Sequence, residues 1–268
     1  MMFRIPSYWP LPLQELLFHA QVKEKRLGRL GNVIFLLRDI HLGECYLNVA
    51  SGYVQYELRG EYRFLSGDTG NLPVAKVLFY TEEDSVSYLL TTYLRGKPLH
   101  QVLSQFTPTA LIDFVGKTLF DIMRLPCTNV GNGLQEELEQ VKGMLERGEV
   151  DAERFQQEMK RQPEKMFVQL VEEAKGHSNT VYTHGDYCLP NLLVEDKKLS
   201  GIIDWGKSGR GDVCRDLSAL EGSMRYNVGY AAMEEICQAA GLIDTAGLQE
   251  KRTFYQKLDQ YWYCLQAK

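Results

Sequence analysis

The stretch from His184 to Asp216, HGDYCLPNLLVEDKKLSGIIDWGKSGRGDVCRD, constrains this chain more than any other. Leu192-Leu193-Val194 and Ser200-Gly201-Ile202-Ile203 are apolar, β-prone runs on either side of the polar Glu195-Asp196-Lys197-Lys198, which reads as a β-hairpin. Asn191 precedes the first strand and Asp204 follows the second. An antiparallel hairpin brings its two open ends together, so an amide and a carboxylate meet there. Hard divalent cations of the magnesium kind take one or two such oxygen ligands and complete their shell with nucleotide phosphates. Asp186, just ahead of Asn191, is then placed to accept the proton of an acceptor hydroxyl. A surface hairpin with scattered acids is the plainer reading. Three polar elements at these offsets around one hairpin make it the weaker one.

Protein kinases space a catalytic Asp, a metal-binding Asn and an Asp-Phe-Gly in this way. The resemblance here is closer than that general pattern. His184-Gly185-Asp186-x-Cys188-Leu189-Pro190-Asn191, Gly201-x-Ile203-Asp204-x-Gly206 and Asp212-x-x-x-Asp216 resemble the bacterial aminoglycoside phosphotransferases, specifically the 3′-hydroxyl type. The match is sharp over positions 181–220, fair over 97–180 and at the C-terminus, and weak before 70. It implies an α+β, two-lobed protein-kinase-like fold. A small β-rich lobe would span residues 1–95, and a larger, mostly helical catalytic lobe 96–268. It also implies Mg2+, ATP or GTP as phosphate donor, and an aminoglycoside hydroxyl as acceptor, the 3′-hydroxyl first.

Composition narrows the alternatives. Hydrophobic residues make up 44% and charged residues 24% of the 268, a globular balance rather than a disordered one. The net charge of −5 argues against a nucleic-acid partner, which calls for a basic patch, and suits a small cationic substrate. Six cysteines are widely spread with no Cys-x-x-Cys pair, neither a disulfide framework nor a zinc pattern. The N-terminal MMFRIPSYWPLP lacks the apolar core of a signal peptide, and no stretch approaches a membrane span, so the expected compartment is the cytoplasm.

In the N-terminal half, Gly28 and Gly31 bracket a turn that runs into an apolar strand. Such a turn can lie over nucleotide phosphates, or it can be an ordinary hairpin turn. The next strand, Cys45-Tyr46-Leu47-Asn48-Val49, departs from the resembled family, which places a lysine at the fourth position. Kinases use that lysine on the α- and β-phosphates and pair it with a helix αC glutamate. Asn48 can hydrogen-bond a phosphate but carries no charge, and charge-assisted phosphate contacts are roughly twice as strong as neutral ones. Leu30 likewise stands where the family often has a small hydroxyl residue. Glu57 is the first candidate for the paired glutamate and Glu61 the second; a solvated helix charge is the alternative for both. Residues 87–94 are an apolar, β-prone run, which the resemblance makes the last strand of the sheet. By resemblance the backbone at Tyr93 and Leu94 would meet the adenine edge.

In the second half, apolar residues recur at helical spacing from Thr109 to Arg124, and 134–175, 229–240 and 248–264 also read as helical. The resemblance assigns Glu158, Lys207 and the tail residues Asp259 and Trp262 to substrate binding, with Gln260 standing where the family has a second acid. Lys207 and Arg210 lie in a glycine-rich loop where the family carries basic residues near the transferred phosphate. Asp216 is read as a holder of the catalytic loop and His184 as structural. Two further readings stand beside the aminoglycoside one. The chain could phosphorylate another small hydroxylated metabolite. It could also be a degenerate kinase-like protein that binds ligand without transfer, as Asn48 would allow.

Overall fold

The computed structural model describes residues 6–28, 31–52, 54–127, 131, 133–177, 180–243 and 247–266. They fall into two compact units, one made of Met1–Leu99 together with Asn191–Lys207, the other of His100–Pro190 and Ser208–Lys268.

In the first unit a short helix α1 (Leu11–Leu16) leads into β1 (Gln21–Leu27), β2 (Val33–Asp39) and β3 (Gly43–Ser51). Helix α2 (Val54–Leu65), β4 (Val77–Glu83), β5 (Val86–Thr92) and the two-residue β6 (Lys97–Pro98) follow. The first five strands form one antiparallel sheet in the order β1-β2-β3-β5-β4. Strand alternation sorts the side chains. Phe35, Leu37, Cys45, Leu47, Tyr88 and Leu90 bury against Trp9, Leu13 and Leu17 on one face. Ala50 and Leu89 meet Val54 and Leu58 of α2 on the other. By the same alternation Asn48, two residues before Ala50, lies on the α2 face.

The hairpin β8 (Leu192–Glu195) and β9 (Lys198–Ile202) joins this unit, in a separate three-stranded sheet of order β6-β8-β9. That corrects the expected division, which put the boundary near residue 95 and the hairpin in the helical lobe. The physical reason is pairing across a long stretch of sequence. Lys97 and Pro98 pair with Val194 and Leu193, Ile202 N donates to Pro73 O, and Ser200 Oγ donates to Arg95 O. The turn is also tighter than the four residues read from sequence. Only Asp196 and Lys197 lie outside the strands, both at positive φ (51° and 61°), as a two-residue hairpin turn demands.

The second unit is mostly helical. It contains α3 (Pro108–Met123), α4 (Gly133–Glu146), α5 (Ala152–Met159), α6 (Pro163–Ala174), α7 (Cys214–Val228), α8 (Met233–Ala239) and α9 (Leu248–Gln266). Thr107 caps α3 by accepting from Ala110 N at 3.2 Å, and Pro108 opens its first turn. Phe254, Tyr255, Leu258, Tyr261, Trp262 and Leu265 repeat at helical spacing along α9 and bury against residues of α4, α5 and α6. A two-stranded ribbon of β7 (Val181–Thr183) and β10 (Gly209–Gly211) stands beside them, with Thr183 opposite Gly209. The ribbon delivers the His184–Asp186 loop at the end of one strand and the start of α7 shortly after the other.

Candidate active site

In the helical unit the short loop after β7 is held from several sides. Asp216, fully buried in the first turn of α7, accepts from His184 N and Gly185 N, one bond to each carboxylate oxygen, both at 2.8 Å. The neighbouring Arg215 donates from Nε to Gly185 O at 3.0 Å. Asp186 N donates to Nδ1 of the buried His184 at 3.2 Å, which fixes that nitrogen as an acceptor. One residue on, the hydroxyl of the buried Tyr187 donates to Val115 O of α3 at 2.7 Å. These bonds take up the backbone on both sides of Asp186, whose side chain is half-buried. Asp216 thus holds the loop through its backbone, and His184 takes a structural part in it.

In the sheet unit the open end of the hairpin gathers the other polar residues. Ile203 N donates to Asn191 O at 3.0 Å, which closes the hairpin and sets the buried Asn191 beside the strand that leads to Asp204. Asp204 is exposed and sits at φ 68°, a left-handed conformation that Asp and Asn tolerate better than other side chains. Trp205, fully buried, donates from Nε1 to Ile202 O at 3.0 Å and stacks on Phe64 of α2 with ring centroids 3.7 Å apart. Gly206 comes so close to α2 that an added Cβ would lie 2.8 Å from Glu57 Cβ and 2.9 Å from Glu57 O. Lys207 Nζ then lies 3.8 Å from Glu57 Oε1.

Three acids therefore share this corner. Glu61, one turn beyond Glu57, is pushed up to about 8, by burial first and then by the carboxylates of Asp204 and Glu57. A cation placed among these carboxylates would ease that repulsion. Among the described residues no three His, Cys, Asp or Glu side chains converge to hold a metal unaided.

The glycine turn between β1 and β2 is tightly bonded. Gly28 N donates to Asn32 O at 2.7 Å, Gly31 N donates to Gly28 O at 3.1 Å, and Gly31 takes φ 91°, which a side chain would resist. A Cβ on Gly28 would run into the Asn32 amide. Leu30 lies outside the described residues. Asn32 Nδ2 donates to Asn48 Oδ1 at 2.8 Å, so the amide that replaces the expected lysine is tied to this turn. At the end of β5, Tyr93 N already donates to Glu44 O at 3.2 Å, and the Tyr93 ring stacks on Tyr46 at 5.6 Å. Leu94 covers Gly201 of the hairpin, where a Cβ would come within 3.0 Å of Leu94 Cδ1.

Like Lys207, the other three residues expected on the substrate side have protein contacts. Glu158 is exposed on α5 and pairs with Arg154 one turn back at 2.9 Å, a bond that lowers its carboxyl below the usual range. Asp259 faces Arg215 at 3.3 Å. Trp262 is 5% exposed in the α9 core with its indole nitrogen unbonded, which accounts for it as a packing residue. Sequence reading missed Arg215 and Glu137, which pair at 3.2 Å. An arginine next to Asp216 looks like a surface charge in the sequence, and only the tertiary structure shows it buried among acids.

Comparison with known proteins decides the family. The profile of the phosphotransferase enzyme family matches residues 50–250, three quarters of the chain. The chain belongs to that family. An aminoglycoside 3′-phosphotransferase of Niallia circulans is 28% identical over 260 residues, spanning 95% of this chain and 97% of its relative. A streptomycin 3″-kinase of Streptomyces griseus is 28% identical over 62% of this chain and 64% of its own length. Among solved structures, an aminoglycoside-3′-phosphotransferase of type VIII superposes with a TM-score of 0.76 at 22% identity, over 93% of this chain and 96% of that one. A macrolide 2′-phosphotransferase from Brachybacterium faecium superposes with a TM-score of 0.58 at 16% identity, over 95% and 90%. This phosphotransferase thus has the kinase-like α+β fold of its relatives, a β-rich unit and a helical one, and its reaction is phosphoryl transfer to a hydroxyl acceptor. Among the described residues no helix is long and apolar enough to cross a membrane.

Proposed function

We propose that this chain moves the γ-phosphoryl group of ATP or GTP to a hydroxyl of an aminoglycoside, the 3′-hydroxyl first. The observation that carries the reading is the Asp186 loop. The loop backbone at Asp186 is held by the two bonds that Asp216 accepts, the Arg215 bond to Gly185 O and the bond from Asp186 N to His184, so the position of this carboxylate is set before any substrate arrives. Asp186 would align the acceptor hydroxyl by accepting its hydrogen bond, and take its proton as the oxygen attacks. Phosphoryl transfer needs little else from the protein than positioning and charge stabilisation. Asn191 and Asp204 would hold magnesium, which when bound would supply positive charge against the phosphates. Gly28, Gly31 and Asn48 would line the phosphates, and the adenine edge would meet backbone from Leu94 onward, since Tyr93 N is engaged by Glu44. A chain using MgATP or MgGTP in this way belongs in the cytoplasm.

The acceptor side favours a cationic sugar through Glu158 and Asp259, and two features weaken that preference. Gln260 replaces an acid, and Arg215 already sits against Asp259. They give weight to the second reading, another small hydroxylated metabolite as acceptor, because a shared fold does not fix the substrate.

The test is nucleoside diphosphate release with MgATP and MgGTP across kanamycin- and neomycin-like acceptors, for the unmodified chain beside Asp186→Ala. Acceptor-dependent turnover should fall by about 10²–10⁴-fold in the variant, the range of a lost general base. Turnover that survives the substitution would refute the role of Asp186. A folded wild-type chain that binds nucleotide but turns over none of these acceptors would move the proposal to the metabolite reading.

A further inference from the structure

The sheet unit keeps a glutamate for a lysine that is missing from its usual strand position. Position 48 lies on the α2 face of β3, the strand position where kinases carry a lysine paired with a helix glutamate. It is Asn48, and its carbonyl oxygen accepts from Asn32 Nδ2 at 2.8 Å. The cation beside Glu57 comes instead from the loop after β9, with Lys207 Nζ at 3.8 Å. We propose that Lys207 is the phosphate-anchoring lysine of this enzyme, relocated from β3 to the loop that follows Asp204 and held in place by Glu57. The inference rests on the phosphotransferase reading above and adds a named cation to its donor site.

Two further observations support it. The approach of the loop to α2 is built into the backbone at both ends. Gly206 has no room for a Cβ beside Glu57, and a Cβ on Gly60, one turn along α2, would collide with Gly206 O. Both contacts bring the residue after Gly206 against the first turns of α2. The pair is also poorly suited to a purely structural role. Its side chains are 34% and 21% exposed, and ion pairs this open to water contribute no more than about 1 kcal/mol. A lysine at the edge of solvent, three residues after the metal-binding Asp204 and steadied by one carboxylate, is instead well placed to swing onto an arriving phosphate. There it would form the charge-assisted bond that Asn48 cannot.

The experiment is calorimetric titration of MgATP into the full-length chain, Lys207→Met, Lys207→Arg, Asn48→Lys and the double variant Lys207→Met/Asn48→Lys, with melting temperatures measured alongside. Lys207→Met should weaken MgATP binding by about tenfold or more, the size of one lost charged hydrogen bond. Its melting temperature should stay within about 2 °C of the parent. Lys207→Arg should stay near the parent affinity. Asn48→Lys should restore binding in the Lys207→Met background, because it returns a cation to the other side of Glu57. MgATP affinity that is unchanged in Lys207→Met, or lost there and not regained with Asn48→Lys, would overturn the inference. An unmodified chain that binds neither MgATP nor MgGTP is a different failure, because it removes the phosphotransferase reading itself.

Discussion

Asp204 separates backbone from chemistry at the scale of one residue. Its φ of 68° costs a residue with a plain Cβ about 1 kcal/mol or more, whereas Asn adopts it readily. Removing its charge also relieves the repulsion that raises Glu61. Asp204→Asn should therefore melt no lower than the parent without ligand. Asp204→Ala should melt about 2–4 °C below Asp204→Asn, the shift expected from that strain in a chain of this size. Both should lose the magnesium dependence of nucleotide affinity, because Ala offers no ligand atom and an amide is a poorer one than a carboxylate. Thermal melts and nucleotide titrations across a magnesium series check the two claims separately. Equal melting of the two variants would remove the strain argument. A magnesium series unchanged in Asp204→Asn would remove the ligand role.

The contact between α2 and the Asp204-Trp205-Gly206 turn belongs to the scale of elements, and two mid-helix glycines test it. Gly→Ala inside a helix ordinarily stabilises by up to about 1 kcal/mol. Gly222 in α7 has nothing within 4 Å of an added Cβ, so Gly222→Ala should follow that rule and raise the melting temperature. Gly60 in α2 faces Gly206 O, so Gly60→Ala must push the helix off the loop. Overpacking of this kind costs about 1–3 kcal/mol, which outweighs the helix propensity and reverses the sign. Opposite shifts for the two variants are the expected result, with weakened nucleotide binding in Gly60→Ala alone. A stabilised Gly60→Ala would mean that α2 does not depend on this contact. Such close approaches also mark the limit of sequence reading. Asn191, Asp204 and the hairpin were legible because their geometry is fixed over a few neighbouring residues. The pairing of Glu57 with Lys207 spans 150 positions, and nothing local distinguishes Glu57 from a solvated charge. Trp262 shows the converse. It continues the apolar period of Phe254, Leu258 and Tyr261, so its burial follows from the helix, whereas its expected substrate contact came from resemblance alone.

For the whole molecule, the chain leaves its first unit at Leu99 and returns to it for Asn191–Lys207. A boundary near residue 95 is what the family resemblance implies, and the local sequence cannot reveal the return, because it depends on a two-residue strand, β6, finding β8 far along the sequence. The returning segment matters energetically. It carries the fully buried Trp205, which covers Phe64, and removing such a side chain costs about 3–5 kcal/mol, against a total stability of about 5–15 kcal/mol for a domain. A fragment of residues 1–99 should therefore be marginal by itself, with Phe64 and the edge of β6 uncovered. Joining residues 191–207 to its C-terminus through a flexible Gly/Ser linker should restore a cooperative thermal transition, and Trp205→Ala in that fusion should abolish the gain. If the bare fragment melted as cooperatively and as high as the fusion, the hairpin would be only an appendage to the first unit. The expected order, fusion above fragment and above its Trp205→Ala form, would make Asn191 and Asp204 part of the same folding unit as Glu57 and Lys207. In that case the residues assigned to magnesium and phosphate stand or fall together with the sheet.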